Sequence, residues 1–483
     1  MDKPDVMSFS LIAEEIKSKA MRGGGILFLR YVFNFGINFS GTVILAWLLG
    51  PKTWGVFGVS IFAYLMIQNI VDLGAAIYII RHEQEPSDKE LGTIFSLQQG
   101  IGLFSIFVAF ILGMKLEAGM QSPAIKYFML SAAIGAYLQA WRSIPLGFLE
   151  RRMEYMKVGT IEIAEAIGFN AIAVLLVWNK SPIWGLMLAN IFRGLLPAVI
   201  ANILSPRRYH VLFNKERFLH FLKYGMSFWL FQTLVWVDAA AAPILVTALA
   251  GAEAYGFIHL SYSILSYPQA FTMLFARISF NIFSRIREDA DLLNRSINRV
   301  LYLFMVIFVP LTTVISALSP WWVIHVYGKE WKNVIYIMLL AAIPKILWNI
   351  AYLISISLYA KKGSAPILKF ISLYILMEWV LGYFLIHQFK FFGHPLAWLL
   401  ANLSLVYLYR QFRAACGALH IEIIHFVWWL MAMMIAWTLA YYQYWYLSLL
   451  FYAMFIPIWV ISTAPIKIKR IVLLAVASMK RWR

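Results

Sequence analysis

Two stretches of this chain, LAWLLGPKTWGVF at residues 45–57 and VTALAGAEAYGFI at residues 246–258, follow one pattern 201 residues apart. In each, a glycine interrupts an apolar run, an aromatic residue stands four positions later, and a second glycine follows it directly. The corresponding pairs are Gly50 and Gly251, Trp54 and Tyr255, and Gly55 and Gly256. A glycine between two apolar runs is typical of a turn between helices. The pattern therefore predicts that the chain contains the same helical hairpin twice.

The composition of the chain indicates a lipid environment. Of its 483 residues, 62% are hydrophobic and only 13% are charged, whereas soluble proteins carry about 25% charged residues. Because no soluble fold can bury so much apolar surface, lipid must cover part of it. The aromatic share of 17% suits belts of Trp and Tyr at the membrane interfaces. The single Cys416 excludes an internal disulfide and a cysteine-based metal site, and we expect no cofactor.

Fourteen apolar runs are long enough, at roughly 20 residues, to cross a membrane as helices. The longest hydrophilic separators, 205–223 and 279–296, are too short for a soluble domain. Residues 1–24 lack the apolar core of a signal peptide, and they predict either a short helix on the membrane surface or a cytosolic tail. The predicted spans are 25–49, 54–80, 91–114, 125–148, 157–178, 182–203, 224–250, 254–278, 297–319, 334–359, 365–387, 391–409, 421–441 and 446–466.

The distribution of basic residues predicts the orientation in the membrane. The N-terminus, the even-numbered separators and the C-terminal tail hold 26 of the 41 Lys and Arg, and the odd-numbered separators hold six. Because basic residues concentrate on the inner side, both termini are expected in the cytoplasm. The same bias accounts for the net charge of +18, so that charge does not indicate a nucleic-acid partner.

The repeat predicts two lobes in an all-α integral membrane protein. Six spans separate the two copies, and because six is even, both copies cross the membrane in the same direction. Helices 1–6 and 7–12 would form the lobes of a parallel repeat, with helices 13 and 14 appended and a binding site between the lobes. A duplicated hairpin without functional meaning is the alternative. The predicted segments are an amphipathic N-terminal segment at 1–24, an N-lobe at 25–204, a linker at 205–223, a C-lobe at 224–413, helices 13 and 14 at 414–470, and a basic tail at 471–483.

Polar side chains recur at helical spacing within the first, second and eighth predicted spans. A charged residue near the centre of a membrane helix costs about 2.5–3.5 kcal/mol on insertion scales, so such residues face a cavity or a partner unless they reach the headgroups. Arg30 and Arg277 lie near helix ends and could reach the headgroups, and His259 could be an ordinary polar contact. The predicted substrate-binding residues are Arg30, Asn34, Asn38, Tyr64, Gln68, His259, Ser263 and Arg277.

Further charges inside the spans admit two interpretations, ion coupling and internal pairing. Asp72, Asp238, Glu162 and Glu165 are the candidates for ion coupling, although Asp72 could instead cap a helix break before Leu73. For internal pairing, we expect Arg193 with Glu162 or Glu165 in the first lobe, and Lys345 with Glu378 in the second.

These residues give the chain a resemblance to a known family. It resembles the bacterial polysaccharide-transport flippases of the Wzx type, in the multidrug/oligosaccharidyl-lipid/polysaccharide exporter superfamily. The resemblance implies two six-helix lobes, alternating access and a cargo carried on undecaprenyl diphosphate, with Arg30 and Arg277 as candidates to bind the diphosphate. The Ala-rich VDAAAAPIL stretch departs from the family pattern. The stretches that carry the resemblance are 29–59, 71–84, 144–169, 221–257 and 326–344.

The resulting hypothesis is a flippase for lipid-linked oligosaccharide in surface polysaccharide assembly, with polysaccharide polymerase and glycosyltransferases as possible partners. Since no P-loop of the GxxxxGKS type is present, ATP hydrolysis by this chain is not expected. An exporter of small molecules driven by H⁺ or Na⁺ is the first alternative. A membrane glycan polymerase or ligase is the second, and the short outer separators argue against it because such an enzyme needs a sizeable outer loop.

Overall fold

The computed structural model is helical throughout the part that it describes. That part comprises residues 6–81, 85–120, 122–205, 211–216, 233–269, 286–419 and 423–463, with a few single positions in between, and side chains are described from residue 33 onward. The helices are α1 (Val6–Asp72), α2 (Ala75–Arg81), α3 (Asp88–Met120), α4 (Ala124–Ala140), α5 (Ser143–Arg151), α6 (Tyr155–Trp178), α7 (Pro182–Leu204), α8 (Thr233–Ala250), α9 (Ala252–Ser266), α10 (Ala290–Ala317), α11 (Ser319–Val326), α12 (Lys332–Lys362), α13 (Ala365–Phe389), α14 (Gly393–Ala401), α15 (Leu405–Cys416), α16 (Ile423–Tyr441) and α17 (Trp445–Thr463).

Eight helices of the described residues are long and apolar enough to cross a membrane. Two of them, Phe33–Asp72 with 40 residues and Ala365–Cys416 with 52 residues, far exceed the roughly 20 residues that one crossing needs. Each of these two covers a pair of predicted spans. The protein is therefore a multi-pass membrane protein, and the count of fourteen spans stays a prediction.

The two copies of the repeated stretch have the same backbone geometry at their first glycine. Gly50 has φ 66° and ψ 170°, and Gly251 has φ 92° and ψ 170°. This region of φ and ψ is accessible almost only to glycine, because a Cβ atom would clash with the backbone there. At Gly50 it kinks α1 before Pro51, and at Gly251 it separates α8 from α9. The glycine break predicted from the sequence thus occurs at both positions, and the hairpin itself stays a prediction.

The second glycines of the two copies bring the helices into direct backbone contact. A Cβ atom on Gly55 would lie 1.8 Å from the carbonyl oxygen of Ala252, and one on Gly256 would lie 2.0 Å from the carbonyl oxygen of Pro51. Ala252 stands 201 residues after Pro51, as Gly256 stands 201 residues after Gly55. The contact is therefore reciprocal: each copy presents the same two positions to the other, as across a local two-fold axis.

Helix ends follow ordinary capping chemistry outside the apolar segments. At the start of α3, the Ser87 backbone N–H donates to the Glu90 carboxylate at 2.8 Å, and the Glu90 backbone N–H donates to the Ser87 hydroxyl. These two hydrogen bonds form a capping box. At the start of α10, Asp289 accepts from the Leu292 backbone N–H at 2.9 Å. Asp289 is the position that the 201-residue offset assigns to Asp88, the first residue of α3.

The chain divides into two compact units, each with its own packing. The first comprises 1–259 and 386–391, and in it α6 and α4 both pack on α7 while α1 packs on α4 and α6. The second comprises 260–385 and 392–483, where α10 packs on α12 and α16, and α16 packs on α17.

Candidate functional site

A cavity of about 250 Å³ lies inside the first unit, and its walls are mostly polar. Three helices and one helix break supply them: α1, α6, α7, and the junction of α4 with α5. Two guanidinium groups, two carboxylates and two asparagine amides face the same space. The lining residues are Asn34, Asn38, Arg142, Glu162, Glu165, Ala166, Phe169 and Arg193.

Glu165 of α6 is the centre of the charged part of the cavity. Its Oε2 lies 2.5 Å from Arg142 Nη1, and its Oε1 lies 3.4 Å from Arg193 Nε. The Gln139 side-chain amide also donates to both carboxylate oxygens, at 3.3 Å each. The Arg193–Glu165 contact is one of the two pairings considered from the sequence. One carboxylate therefore holds two guanidinium groups from two other parts of the chain, by charge-assisted hydrogen bonds.

An aromatic pair fixes the Arg193 guanidinium independently of this carboxylate. The guanidinium carbon lies 4.6 Å from the ring centre of Tyr64 and 5.3 Å from that of Phe169. Both distances are within the roughly 6 Å range of a cation–π contact. The Tyr64 hydroxyl donates to Gln139 Oε1 at 2.5 Å, and both side chains are almost fully buried, at 0% and 2% exposure. Tyr64 thus connects Arg193 to the amide that binds Glu165.

Arg142 enters the cavity because a proline interrupts its helix. The sequence predicts one span over 125–148, whereas in the structure α4 ends at Ala140 and α5 begins at Ser143. Pro145 has no N–H to donate to the carbonyl of Trp141, and its ring clashes with that carbonyl in a continuous helix. The interruption places Arg142 at the junction, where its side chain meets α6.

The polar stripe predicted on the first helix faces α6. Asn34 donates to Glu162 Oε2 at 3.3 Å, while Asn38 donates to the Asn34 carbonyl at 2.8 Å and accepts from Asn170 at 3.3 Å. The Asn34 side-chain oxygen is buried without a hydrogen-bond partner among the described residues. An acceptor of this kind can bind a hydroxyl or an amide of a ligand.

Asp72 lies at the edge of the same polar group. Helix α1 ends at this residue, and Leu73 and Gly74 follow with φ values of 52° and 74°, so the helix break considered from the sequence is present. The Asp72 carbonyl accepts from Gln98, whose amide also donates to Ser143 at 2.8 Å. The Asp72 carboxylate lies near Ser143 and within electrostatic reach of Arg142. Gln68 is half-buried on α1 and is not a lining residue of the cavity.

The other predicted substrate contacts lie elsewhere or outside the described residues. His259 is packed between aromatic rings, with its ring centre 5.2 Å from Trp54 and 5.6 Å from Tyr255. Ser263 belongs to the second unit, and its carbonyl accepts from Ser266 at 2.6 Å. Asp238 is half-buried in α8. The side chain of Arg30 and the whole of Arg277 lie outside the described residues.

The second unit has a polar group of its own. His394 Nδ1 lies 2.9 Å from the Tyr262 hydroxyl, and His394 Nε2 lies 3.6 Å from Glu378 Oε1. Lys345 lies 6.0 Å from the ring centre of Trp398. The pairing of Lys345 with Glu378 stays a prediction. The contacts of His394 with Glu378 and Tyr262 are not predicted from the sequence. The adjacent Pro395, at the start of α14, is the only signal in the sequence for a special position there.

The fold and the buried charges define a class: multi-pass helical membrane proteins with a polar interior. Solved structures that share the fold include a lipid flippase and a multidrug transporter. The lipid II flippase MurJ, in an inward closed conformation, superposes with a TM-score of 0.67 over 90% of this chain and 100% of its own, at 16% identity. An inward-facing MATE-family multidrug resistance transporter of the MOP superfamily superposes with a TM-score of 0.56 over 85% and 98%, at 12% identity.

Sequence comparison gives the family. The model of the polysaccharide biosynthesis protein family matches residues 44–336, which is more than half of the chain. The lipopolysaccharide biosynthesis protein WzxC of Escherichia coli K12 is 21% identical over 72% of this chain and 71% of its own length. The teichuronic acid biosynthesis protein TuaB of Bacillus subtilis 168 is 21% identical over 58% of each chain. This chain belongs to the polysaccharide biosynthesis protein family.

Proposed function

We propose that this protein moves an oligosaccharide linked to undecaprenyl diphosphate from the inner to the outer leaflet of the bacterial inner membrane. The oligosaccharide would serve the assembly of an O-antigen, a capsule or an exopolysaccharide. The observation that supports this proposal is the cavity of the first unit, where guanidinium groups and amides line one space inside an apolar helical protein. Charged groups are costly at that depth, and a cargo with a charged and hydroxylated headgroup accounts for them. Family membership favours the same class of cargo.

Each part of the cargo has a chemically matched partner. The diphosphate accepts hydrogen bonds from guanidinium groups, which makes Arg142 and Arg193 candidates beside the predicted Arg30 and Arg277. The sugar hydroxyls bind to the side-chain amides of Asn34 and Asn38. Gln68, His259 and Ser263 stay further predicted contacts for the sugar. The prenyl chain stays in the surrounding lipid, because it is as apolar as the membrane interior.

Transport proceeds in this proposal by alternating access of the two predicted lobes, helices 1–6 and 7–12. Both termini lie in the cytoplasm, where glycosyltransferases load the cargo, and a polymerase receives it on the outer side. The energy comes from an ion gradient, either H⁺ through protonation of a carboxylate or Na⁺. The candidate carboxylates are Asp72, Asp238, Glu162 and Glu165.

The test is translocation of a labelled lipid-linked oligosaccharide by the full-length protein in vesicles. We expect the double variant Arg142→Gln/Arg193→Gln to slow translocation at least about tenfold. Lys126→Gln is the matched control, since Lys126 pairs with Glu117 at 3.0 Å in an exposed position and its loss should leave the rate unchanged. Wild-type rates in the double variant would exclude a diphosphate role for these arginines, and an inactive wild type would refute the flippase function.

The fold likeness to the multidrug transporter makes a small-molecule exporter the second candidate. The cavity lining does not favour the usual cationic drugs, because Arg142 and Arg193 already pair with Glu165. Deletion of the gene separates the two functions: loss of surface glycan supports the flippase, and increased drug susceptibility with an intact glycan supports the exporter.

A further inference from the structure

The charged lining of the cavity in the first unit is balanced, and this balance affects how an anion can bind. Arg142 and Arg193 contribute two positive charges, and Glu162 and Glu165 contribute two negative charges. Glu162 interacts with Asn34 at 3.3 Å, whereas Glu165 interacts with both guanidinium groups. An anion that enters the cavity therefore meets no net positive charge in the lining unless the Glu165 carboxylate moves away from the two guanidinium groups.

The two guanidinium groups have many unused hydrogen-bond donors. A guanidinium has five N–H donors, and among the described residues Arg142 and Arg193 each donate only to Glu165. Their side chains keep 14% and 21% of their surface exposed, and both line the cavity. A single carboxylate has too few oxygens to use these donors, whereas a phosphate-type anion has several oxygens that can each accept from a guanidinium.

Both arginines are positioned by contacts other than the one with Glu165. Arg193 is stacked on Tyr64 and Phe169, and Arg142 is fixed at the α4–α5 junction by the backbone hydrogen bond from its N–H to Gln139 at 3.0 Å. The pair of guanidinium groups can therefore remain in place when the carboxylate moves aside. Such preorganisation lowers the entropic cost of binding a ligand.

The size of the cavity suits a small group of the ligand. Its volume is about 250 Å³, below the roughly 300–1,000 Å³ of sites that enclose a drug-sized molecule. It can hold a diphosphate-sized anion, and most of an attached oligosaccharide would lie outside it.

We propose that Arg142 and Arg193 form an anion subsite for a diphosphate, and that Glu165 is an internal counter-ion which occupies this subsite until the diphosphate displaces it. This inference rests on the proposed function and assigns the headgroup of the cargo to this subsite. Glu165 is a specificity-determining residue: in the empty protein it neutralises the arginines, so weakly charged groups cannot compete for them. Only a ligand with more acceptor oxygens and more charge than one carboxylate replaces it.

The test is the affinity of the purified full-length protein for inorganic pyrophosphate, measured by isothermal titration calorimetry. Glu165→Gln keeps the shape of the side chain and removes its charge, so we expect pyrophosphate to bind at least about tenfold more tightly. The gain should disappear in Glu165→Gln/Arg142→Gln. Glu117→Gln, which removes the acid of the exposed Lys126–Glu117 pair, is the matched control and should leave the affinity unchanged. A folded Glu165→Gln with wild-type or weaker affinity overturns the proposal.

Two further measurements keep the outcome decisive. If Glu165→Gln does not fold, Arg142→Gln alone should abolish pyrophosphate binding, and an unchanged affinity overturns the proposal. In lipid nanodiscs, undecaprenyl diphosphate should compete with pyrophosphate, which identifies the lipid headgroup as the ligand. Pyrophosphate binding without such competition identifies a soluble phosphate compound as the ligand and refutes the proposed cargo, while the counter-ion role of Glu165 stands. A transport-active protein whose Glu165→Gln variant gains no affinity refutes the counter-ion role alone.

Discussion

The two copies of the repeated turn share their backbone and differ in their chemistry. Gly50 and Gly251 have nearly the same φ and ψ, and Gly55 and Gly256 make the same contact in both directions. Three polar positions of the first copy are apolar in the second, 201 residues later, whereas Gln68 corresponds to Gln269. Asn34, Asn38 and Tyr64 correspond to Val235, Ala239 and Leu265.

This difference separates what the framework needs from what the site needs. Glycine is kept where two backbones touch or where the backbone has a conformation that other residues rarely adopt. Side chains that only line a cavity can change freely between copies, and Asn34 and Asn38 of the first copy line the cavity that contains Glu165. Among the described residues, the repeated turn thus supplies architecture, and the first copy also supplies chemistry.

The largest expected effect is at Gly55 and Gly256, where the backbones of the two copies touch. Gly55→Leu and Gly256→Leu each place a side chain where a carbonyl oxygen would lie 1.8 or 2.0 Å from Cβ, so each should destabilise the protein by about 3 kcal/mol. Because one substitution already separates the helices, the double variant should cost less than the sum. The measurement is the thermal unfolding midpoint in detergent. Gly100→Ala, at a glycine with nothing within 4 Å, is the control and should be neutral. Additive losses would show that the two contacts are independent.

The next effect replaces a residue of the first copy by its counterpart in the second. Tyr64→Leu removes the stacking partner of Arg193 and leaves the buried Gln139 oxygen without its donor, at an expected cost of about 2–3 kcal/mol. Tyr64→Phe removes only the hydroxyl and should cost about half as much. Both should slow translocation in vesicles, Tyr64→Leu more than Tyr64→Phe. Equal effects of the two variants would mean that the ring contact contributes nothing.

A third effect concerns a contact between equivalent positions that carry unlike residues. Gly58 and His259 are 201 residues apart, and a Cβ on Gly58 would lie 2.6 Å from His259 Nδ1. Gly58→Ala should therefore cost about 2 kcal/mol through overpacking, visible as a lower unfolding midpoint. If the two positions are equivalent across a local two-fold axis, the exchange variant Gly58→His/His259→Gly should be more stable than Gly58→Ala. An exchange variant that is less stable than Gly58→Ala contradicts this equivalence.

The sequence predicts these features unequally, for physical reasons. The turns at Gly50 and Gly251 are local, since glycine itself permits the conformation, and the fold class follows from composition. The direction of Asn34 and Asn38 follows from helical periodicity, because α1 is unbroken between them. Arg142 could not be placed in this way, since the break before Pro145 ends the periodicity of α4, and its charge suits the cytoplasmic end of a helix equally well.

Partners from distant parts of the chain are harder still to predict. Glu165 could pair with several cations, and its simultaneous contact with Arg142 and Arg193 depends on how α5, α6 and α7 pack. The same holds for His394, which meets Tyr262 from 132 residues away. Periodicity gives the face on which a side chain lies but not the helix that faces it.

The smallest expected effect is the backbone strain that a non-glycine residue would have at Gly50 or Gly251. Nothing lies within 4 Å of a Cβ on Gly251, so Gly251→Ala adds only the strain of φ 92° and should cost about 1 kcal/mol. Gly50→Ala should cost nearly as much, because its φ and ψ fall in the same region. Equal small decreases of the unfolding midpoint would show that both turns are kept for their backbone conformation. If Gly251→Ala leaves the unfolding midpoint unchanged while Gly50→Ala lowers it, the second turn can relax. The likeness of the two copies is then limited to the backbone contacts at Gly55 and Gly256.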